Sequence, residues 1–578
     1  MRNAEVASVL NEYADLLELR GEDRYRIARY RDAATRIEHH PEPIEDLVRD
    51  GRVREIRGVG ESIGAKVVEY IQTGKIQALE DLRKEVSPAA AMLMNIPGIG
   101  PRRAMLLTRE LRIQTVADLE RALESGEVAR LPRLGERVAQ RILEEVRRLR
   151  TRGRRMPLGL ALPAAEEVAR ELRQCPAVLQ ITPAGSIRRM KETIGDIDLL
   201  VASERPAEVI EAFVTLPAVR EVLAAGETKA SILTHADLQI DLRVVAPESY
   251  GAALQYFTGS KAHNIRLREM AIEKGWKLNE YGVFEDDRRI AGRTEEEVYA
   301  ILGLPWIPPE LREDMGEVEA ALRGELPALV ALEDIKGDLH THTRLSDGSS
   351  DIEEMARAAA RRGYAYLAIT DHSQALGVAR GLTEEELRQE HARIRELQAS
   401  FPETRLLCGV EVDIRVDSRL DCSDEFLASC DVVVASIHSA FQRSREEQTA
   451  RLIAAIEHPY VDIVCHPTGR LIGKRAGYDI DLGAVLEAAA RTGTAIEVNA
   501  QPDRLDLNDD AVRAAVQRGV MLAIDTDAHH HDQLDLMRYG VATARRGWAP
   551  PELVLNTRPL DDLLRWLRER RERALRGG

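Results

Sequence analysis

The sequence predicts three architectures in succession: an all-α part, an α/β core passing into a mixed α+β segment, and a barrel of alternating β and α units. Three observations carry this. A glycine turn between helical stretches recurs early in the chain, as I-x-G-V-G at 56–60, I-P-G-I-G at 96–100 and a degraded L-P-R-L-G at 131–135. Short apolar strands, one with aspartates at alternate positions, run through 157–245. From Lys336 onward, apolar strand candidates end one after another in a polar or titratable residue.

Length and composition frame these parts. At roughly 150 residues per domain, a chain of 578 residues holds several cores. An apolar fraction of 44% suits a globular protein rather than a disordered one. No apolar run approaches the ~20 residues that a bilayer crossing needs, so no membrane partner is expected. The first thirty residues mix charges and lack an apolar h-region, so no signal peptide is expected and the chain reads as cytoplasmic. Cys175, Cys408, Cys422, Cys430 and Cys465 form no CxxC pair and read as reduced. The net charge of -16 argues against a generic polyanion binder. Residues 1–150, however, hold 27 Lys/Arg against 26 Asp/Glu, so the acidic excess lies downstream and a positive face near the N-terminus could meet phosphates. Arg outnumbers Lys by 71 to 10, so lysine chemistry has few candidates.

Residues 1–90 read as short amphipathic helices, such as Asn3–Leu19 and Arg24–Ile37, and 91–150 continue in kind. Each glycine turn precedes a helical stretch, at Glu61–Thr73, Pro101–Arg109 and Glu136–Leu149. Glycine lets the backbone turn tightly and leaves amide N–H groups at a helix N-terminus, which bind a phosphate without reading a base. The repeat resembles the helix-hairpin-helix of DNA-binding proteins and implies non-specific DNA contact.

In 157–245 the strand candidates are Val178–Thr182, Ile197–Val201 and Leu238–Val244, with helices between them. Asp196 and Asp198 sit at i and i+2, so both point to one face of a strand. Asp241 stands on a second strand and could complete a cluster. Three carboxylates around one pocket repel unless divalent cations join them, and all-oxygen ligands suit Mg²⁺ or Mn²⁺. Two such ions would activate a 3′-hydroxyl and stabilise a leaving pyrophosphate. Gly185 and Ser186 would let the backbone approach a phosphate, with Arg188 and Arg189 close by. A mixed segment from Tyr250 onward closes on PWIPPE (305–310), and charged residues 308–336 read as a linker.

This half resembles DNA polymerase family X, on AGSIRRMKETIGDIDLLV (184–201), LQIDLRV (238–244) and YFTGS (256–260). The resemblance implies that Asp196, Asp198 and Asp241 bind the catalytic metals, and that Gly185, Ser186, Arg155 and Arg189 bind the triphosphate of a dNTP. It implies that Tyr256 and Phe257 flank the incoming sugar, that Gly259 and Ser260 belong to the same thumb motif, and that Asn264 contacts the base. Three departures stand out. Gln239 replaces an Arg beside the third Asp. Lys261 replaces an Asp next to the nucleotide, where it could grip a dNTP before template pairing. Lys66 matches the Schiff-base lysine of the animal polymerase, but Ser62 stands where that enzyme has a helper lysine. Arg26 and Tyr30 match positions that grip a 5′-phosphate.

In the second half the strand candidates are YAYLAITDH, RLLCGVEVDI, CDVVVASIH, VDIVCHP, TAIEVNA and MLAIDTDAH, with helices such as Asp351–Arg362 and Ala484–Arg491 between them. This is the pattern of a parallel-stranded barrel with its chemistry at the strand C-termini. His340 and His342 alternate on a strand, so both imidazoles face one side. With Asp347, His372, Glu411, His438, His466, Asp527 and His529 they make nine candidate ligands. Imidazole mixed with carboxylate suits Zn²⁺, Mn²⁺ or Fe²⁺, and three metals with a bridging carboxylate is the economical count. Such a centre would hydrolyse phosphoesters. Any one of these histidines by itself would read as a core residue; the set at strand ends does not.

The set resembles the PHP domain over 336–570, with every ligand position filled. The resemblance implies one ion on His340, His342, Glu411 and Asp527, a second on Asp347, His372 and His529, and a third on Glu411, His438 and His466. It names His340, His342, Glu411, His438 and Asp527 as catalytic. His391, His458, His530 and His531 read as structural or solvated. Arg470, Lys474 and Arg475 form a basic loop placed to hold substrate phosphate, and the terminal RRERALRGG reads as a solvated helical end.

The expected fold is therefore all-α helix-hairpin-helix N-terminal domains, an α/β nucleotidyltransferase palm with an α+β thumb, and a C-terminal distorted β/α (TIM-like) barrel of PHP type. The expected segments are 1–90, 91–150 (fingers), 151–249 (palm), 250–315 (thumb), 316–335 (linker) and 336–572 (barrel). The expected function is gap-filling DNA polymerase in base excision repair fused to a 3′–5′ exonuclease or phosphoesterase, with abasic-site cleavage as a further activity of the family. Expected partners are gapped or nicked DNA and dNTPs, acting on a nucleoid-associated monomer. Two alternatives are weaker. A DNA-binding scaffold with an inactive polymerase is disfavoured by the intact aspartates. A small-metabolite phosphatase is disfavoured by the helix-hairpin-helix pair.

Overall fold

The computed structural model describes residues 3–577 except 21, 39, 41, 86–88, 90–92, 94–95, 97–98, 100, 132–133, 137, 141 and 144–154. It comprises two compact units, Met1–Arg155 and Met156–Gly578.

The first unit is helical. Helices Asn3–Arg20 and Arg24–Glu38 fall within one residue of the predicted spans, and Ile44–Arg49, Glu61–Thr73 and Gln77–Glu85 complete a bundle. Leu10, Leu17, Ile37, Ile44, Leu47 and Val67 form its core. Helices Pro101–Glu110 and Val116–Glu124 enclose a separate core of Leu107, Ile113, Leu119 and Leu134. In the first glycine turn Gly58 has φ +87, and a Cβ there would lie 2.7 Å from Asp32 Oδ2. Only glycine satisfies both demands. Gly60 caps helix Glu61–Thr73 with no side chain, leaving the first-turn amides open. Pro97, Gly98 and Gly100 of the second turn, Pro132 and Arg133 of the third, Arg152 and Arg154 lie outside the described residues, as does most of the helix expected at 136–149.

The second unit opens with a five-stranded sheet ordered Gln180–Pro183, Ile197–Ala202, Gln239–Val245, Lys229–Thr234, Val219–Ala225. The three predicted strands are present. The last two, a hairpin, were not anticipated. Its exposed strand reads VREVLAA with no clean alternation. An α+β segment follows: helices Tyr250–Thr258 and Lys261–Glu273, the antiparallel strands Lys277–Asn279, Gly282–Glu285 and Arg288–Ala291, and helix Glu295–Leu302. The expected linker is packed rather than free. Val318 and Ala321 join the core of this segment, and Val330 joins that of the barrel.

The barrel has seven parallel strands in sequence order: Gly337–Asp338, Tyr366–Ile369, Arg405–Asp413, Val432–Ser436, Ile463–Val464, Ala495–Asn499 and Leu522–Asp525. It nearly closes, because Thr341 bridges Ala528 and the His342 amide donates to the Ala528 carbonyl at 2.8 Å. Strand alternation sorts the side chains. Tyr366, Ala368, Leu407, Val432, Val434, Ala495 and Ala523 plug the interior. Leu367, Ile369, Leu406, Val433, Ile496 and Ile524 face the surrounding helices. Those helices are capped by side chains, as by Asp351, Thr383, Ser444 and Asn508.

The barrel is docked on the palm. Leu505 and Tyr539 belong to the palm core, Arg538 pairs with Glu166 at 3.1 Å, and Arg470 pairs with Glu192 at 2.7 Å. Of the basic helical end, Arg570 and Arg571 are not solvated. They pair with buried Asp462 at 3.2 and 2.5 Å, which corrects the sequence expectation. Two facing buried positions could not be paired from sequence.

Candidate functional site

The aspartates converge as predicted. Strands Ile197–Ala202 and Gln239–Val245 run parallel with Asp198 opposite Asp241, and Asp196 immediately precedes the first. Burial, followed by Asp196 and Asp241, pushes Asp198 up to about 7. Such mutual repulsion is what divalent cations relieve, so these residues fit metal ions. Ser231 and Gln239 donate to Asp241 Oδ1, the amide at 3.0 Å. Gly185 has φ +62, and a Cβ there would lie 2.5 Å from Asp198 Oδ2. The glycine turn therefore presses against the carboxylate. Ser186 follows it in the short helix Gly185–Arg188.

The thumb residues surround this edge. Tyr256 and Phe257 meet edge to face at 5.1 Å, with the Arg243 guanidinium 4.7 Å from the Phe257 ring. Gly259 has φ +71, and Ser260 caps the next helix by accepting from His263 N. Asn264 accepts from Gln255 at 2.7 Å and donates to the Tyr256 carbonyl at 2.7 Å. Lys261 is exposed in the first turn. Arg188 is engaged internally, paired with Glu295 at 2.7 Å and donating to Thr258. Arg189 donates to the Thr258 carbonyl and to Glu313 at 3.0 Å. Arg155 is exposed in the first unit.

In the barrel, inward parity continues past the apolar plug and delivers His372, Glu411, His438 and Asp527 to one end. His466 and Asp527 adopt φ +28 and +50, which re-aims them. Glu411 lies at the centre. Its Oε2 is 3.2 Å from His340 Nε2, 3.4 Å from His342 Nε2 and 2.9 Å from His372 Nδ1. Its Oε1 is 3.1 Å from His466 and 3.3 Å from His438. Asp527 Oδ1 lies 3.2 Å from His342, and Asp347 lies 3.5 Å from His372 and 3.3 Å from His529. Among the groups whose donor atoms lie within 4.8 Å of one another are His342–Asp347–His372–His529, His340–His342–Asp527, His372–Glu411–His438 and His340–Cys465–Glu497. The electrostatics agree. Burial opposes charge on His372, yet Glu411 and Asp347 hold its pKa up at about 10. Burial likewise opposes charge on His529, but Asp347 raises it to about 9. Burial and the neighbouring imidazoles push His342 down to about 4. The carboxylates thus recruit imidazolium charge where cations would sit, and buried His342 Nδ1 and His466 Nδ1 have no hydrogen-bond partner among the described residues. The donor set fits metal ions.

Four family models match the chain: a helix-hairpin-helix domain at 1–76, a SAM-like helix-hairpin-helix tandem at 90–148, the DNA polymerase beta thumb at 253–313 and a PHP domain at 338–501. The DNA polymerase/3′-5′ exonuclease PolX of Bacillus subtilis (strain 168) is 40% identical over 572 residues, spanning 98% of this chain and 100% of that protein. The chain belongs to the PolX family. A probable phosphatase of Caldanaerobacter subterraneus subsp. tengcongensis is 31% identical over 247 residues, covering 41% of this chain and 92% of that protein. DNA polymerase lambda of Arabidopsis thaliana is 25% identical over 346 residues, covering 54% of this chain and 62% of that protein.

Within this PolX-family chain the structure adds residues that the motif reading missed. Glu497, fully buried, accepts from His340 Nδ1 at 2.7 Å and from the His466 amide at 2.6 Å. Asp413 lies 3.3 Å from His438 Nδ1. Both stand behind ligand candidates and orient their rings. Glu497 was findable: it stands two residues beyond inward Ala495. Of the basic loop, Arg470 and Arg475 are spent on the Leu505 and Gly469 carbonyls, while Lys474 stays mostly exposed. Lys66 Nζ lies 3.3 Å from Ser62 Oγ and 5.5 Å from the centre of the Tyr13 ring. Tyr30 is buried with its hydroxyl 3.4 Å from Ser62 Oγ, and Arg26 pairs with Glu22 at 3.0 Å. Among the described residues no helix is long and apolar enough to cross a membrane.

Proposed function

We propose that this bifunctional enzyme fills short gaps in DNA with its palm and trims the 3′-ends of the same DNA with its barrel. DNA polymerase and 3′–5′ exonuclease are the activities carried by its family. The observation that supports keeping both in this chain is the completeness of both donor sets, three aspartates in the palm and nine ligand candidates in the barrel. The helix-hairpin-helix turns would bind phosphates of gapped or nicked DNA through first-turn amides.

In the palm, Asp196, Asp198 and Asp241 would hold Mg²⁺ or Mn²⁺, with Ser231 and Gln239 keeping Asp241 oriented. Gly185 would bring the backbone of Ser186 close to the triphosphate, and Arg189 and Lys261 would offset its charge. Tyr256 and Phe257 would flank the sugar, held by Gly259 and Ser260, and Asn264 would meet the base. In the barrel, His340, His342, Glu411 and Asp527 would hold one ion, Asp347, His372 and His529 a second, and Glu411, His438 and His466 a third. Zn²⁺, Mn²⁺ and Fe²⁺ suit these ligands. When bound, the cations would supply an acidified water and neutralise phosphate charge. The chain's own part is to fix geometry: Glu497 holds His340 and Asp413 holds His438, so that their free nitrogens would face the ions.

The enzyme's six segments run from 1–90 to 336–572, and it acts as a cytoplasmic, nucleoid-associated monomer. Paired variants test the assignment. Asp198→Ala should abolish gap filling and leave 3′-end hydrolysis intact, and His342→Ala should do the reverse. Retention of gap filling in Asp198→Ala, or of hydrolysis in His342→Ala, sinks the corresponding site.

A further inference from the structure

One meeting of barrel and palm is a buried ion network that uses a barrel arginine. Arg546, on helix Met537–Arg546, is 7% exposed. Its Nη1 donates to the Arg189 carbonyl at 2.7 Å and lies 3.1 Å from Glu313 Oε1. Its Nε and Nη2 engage Asp509 Oδ2 at 2.8 and 2.6 Å. Glu313 Oε1 is also the acceptor for Arg189 Nε at 3.0 Å. One carboxylate oxygen therefore serves two guanidinium groups, one from each domain. Burial opposes charge on Glu313, but Arg546 and Arg189 hold it at about 2, so it is ionised throughout the neutral range.

Arg189 must give part of its charge to a triphosphate while remaining in place. With Arg546 present, Glu313 divides its charge among Arg546, Arg189 and, at 3.8 Å, Lys191, and the Arg189 backbone is pinned by the Arg546 guanidinium. Without Arg546, Glu313 would turn more of its charge on Arg189 and compete with phosphate, and the 189–192 segment would lose an anchor. We propose that Arg546 is a positioning residue for nucleotide binding at the polymerase site, acting through Glu313 and Arg189. The barrel thereby contributes to dNTP affinity without touching the dNTP. Nothing in the PHP chemistry requires this contact. The inference rests on reading Arg189 as a triphosphate ligand.

The test is steady-state gap filling by the full chain, with KM for dNTP and kcat separated. Arg546→Met should raise KM about tenfold, a usual size for coupling between sites, with kcat little changed and 3′-end hydrolysis kept, while the melting midpoint falls because buried Asp509 loses its cation. Adding Glu313→Gln should bring KM back toward wild type, because the uncompensated charge is gone. A merely structural arginine would not be rescued that way. If Arg546→Met does not fold, Arg546→Lys replaces it with the same expected direction, since an ammonium cannot span Glu313, Asp509 and a carbonyl together. An unchanged KM in a folded variant overturns the proposal, as does a KM rise that Glu313→Gln fails to reverse. Arg189→Ala separates the two readings. If it leaves KM unchanged, the nucleotide-site assignment has failed. If it raises KM while Arg546→Met does not, only the role of Arg546 has failed.

Discussion

Single side chains decide how each site is tuned. Lys261 puts an exposed positive charge on the first turn of helix Lys261–Glu273, at the proposed nucleotide site, with no salt-bridge partner among the described residues. An exposed contact of this kind is worth ~1 kcal/mol, so Lys261→Ala should weaken binding of free Mg-dNTP about fivefold. Equilibrium titration without template measures this, and equal affinities would remove the residue from the nucleotide site. Glu497 is the barrel counterpart. It fixes the tautomer of His340 and also receives the His466 amide. Residues behind metal ligands are worth roughly 10–100-fold, so Glu497→Gln should cost that much in 3′-end hydrolysis while gap filling persists. The Asp198 and Glu497 pair also marks how legible the sites were. Asp198 announces itself by the D-x-D spacing. Glu497 sits in TAIEVNA, where an isolated carboxylate on an apolar strand looks like any other strand residue until the barrel parity is known.

Elements position these groups by their backbone. The parallel pairing of Ile197–Ala202 with Gln239–Val245 sets Asp198 against Asp241, and the glycine turn before Ser186 closes on them. A methyl group at 185 would meet the Asp198 carboxylate at 2.5 Å in a φ region that disfavours any side chain. Misplacing reacting groups by an ångström costs ~100-fold, so Gly185→Ala should lower gap filling by that order, with a normal circular dichroism spectrum and intact hydrolysis. Full gap filling in that variant would show that the turn need not approach Asp198. The hairpin Val219–Thr234 shows the limit of element prediction. Its outer strand is mostly exposed, so it lacks the one-sided apolar pattern from which strands are read.

At the scale of the molecule, palm, thumb and barrel form one packed unit, held across their junctions by buried ion networks. Burial opposes charge on Glu295, but Arg188 and Arg312 hold it at about 2, and Arg546 and Arg189 do the same for Glu313, both from an ordinary 4.5. A carboxylate with a depressed folded-state pKa stabilises fully above its unfolded pKa and loses that contribution as the solution acidifies through the folded one. Stability should therefore decline from about pH 5 toward pH 2. Glu313→Gln should show a shallower decline over the accessible part of that window, measured by urea unfolding between pH 6 and 3.5 (all values about ±0.5); parallel curves would deny Glu313 its share. Metal removal acts on the barrel end. A ligand bound only to the folded state at a thousandfold over its Kd adds ~4 kcal/mol. Chelation should lower the melting midpoint by several degrees, Zn²⁺ or Mn²⁺ should restore it, and His342→Ala should show a smaller drop. A chelator-insensitive midpoint in wild type would argue against tightly held ions.

The sequence by itself determined the order of architectures, the glycine turns, the three palm aspartates and the nine candidate ligands of the barrel. Each is written in a local period: two for strands, 3.6 for helices, or a glycine at a forced turn. Tertiary structure alone decided what those residues lean on. Glu497 behind His340, Asp462 against Arg570, and Glu313 shared by Arg189 and Arg546 all join positions far apart in the chain. Such pairings obey no local spacing. They exist because a buried charge must find a partner once the domains close on one another, and only the closed fold says which partner is within reach.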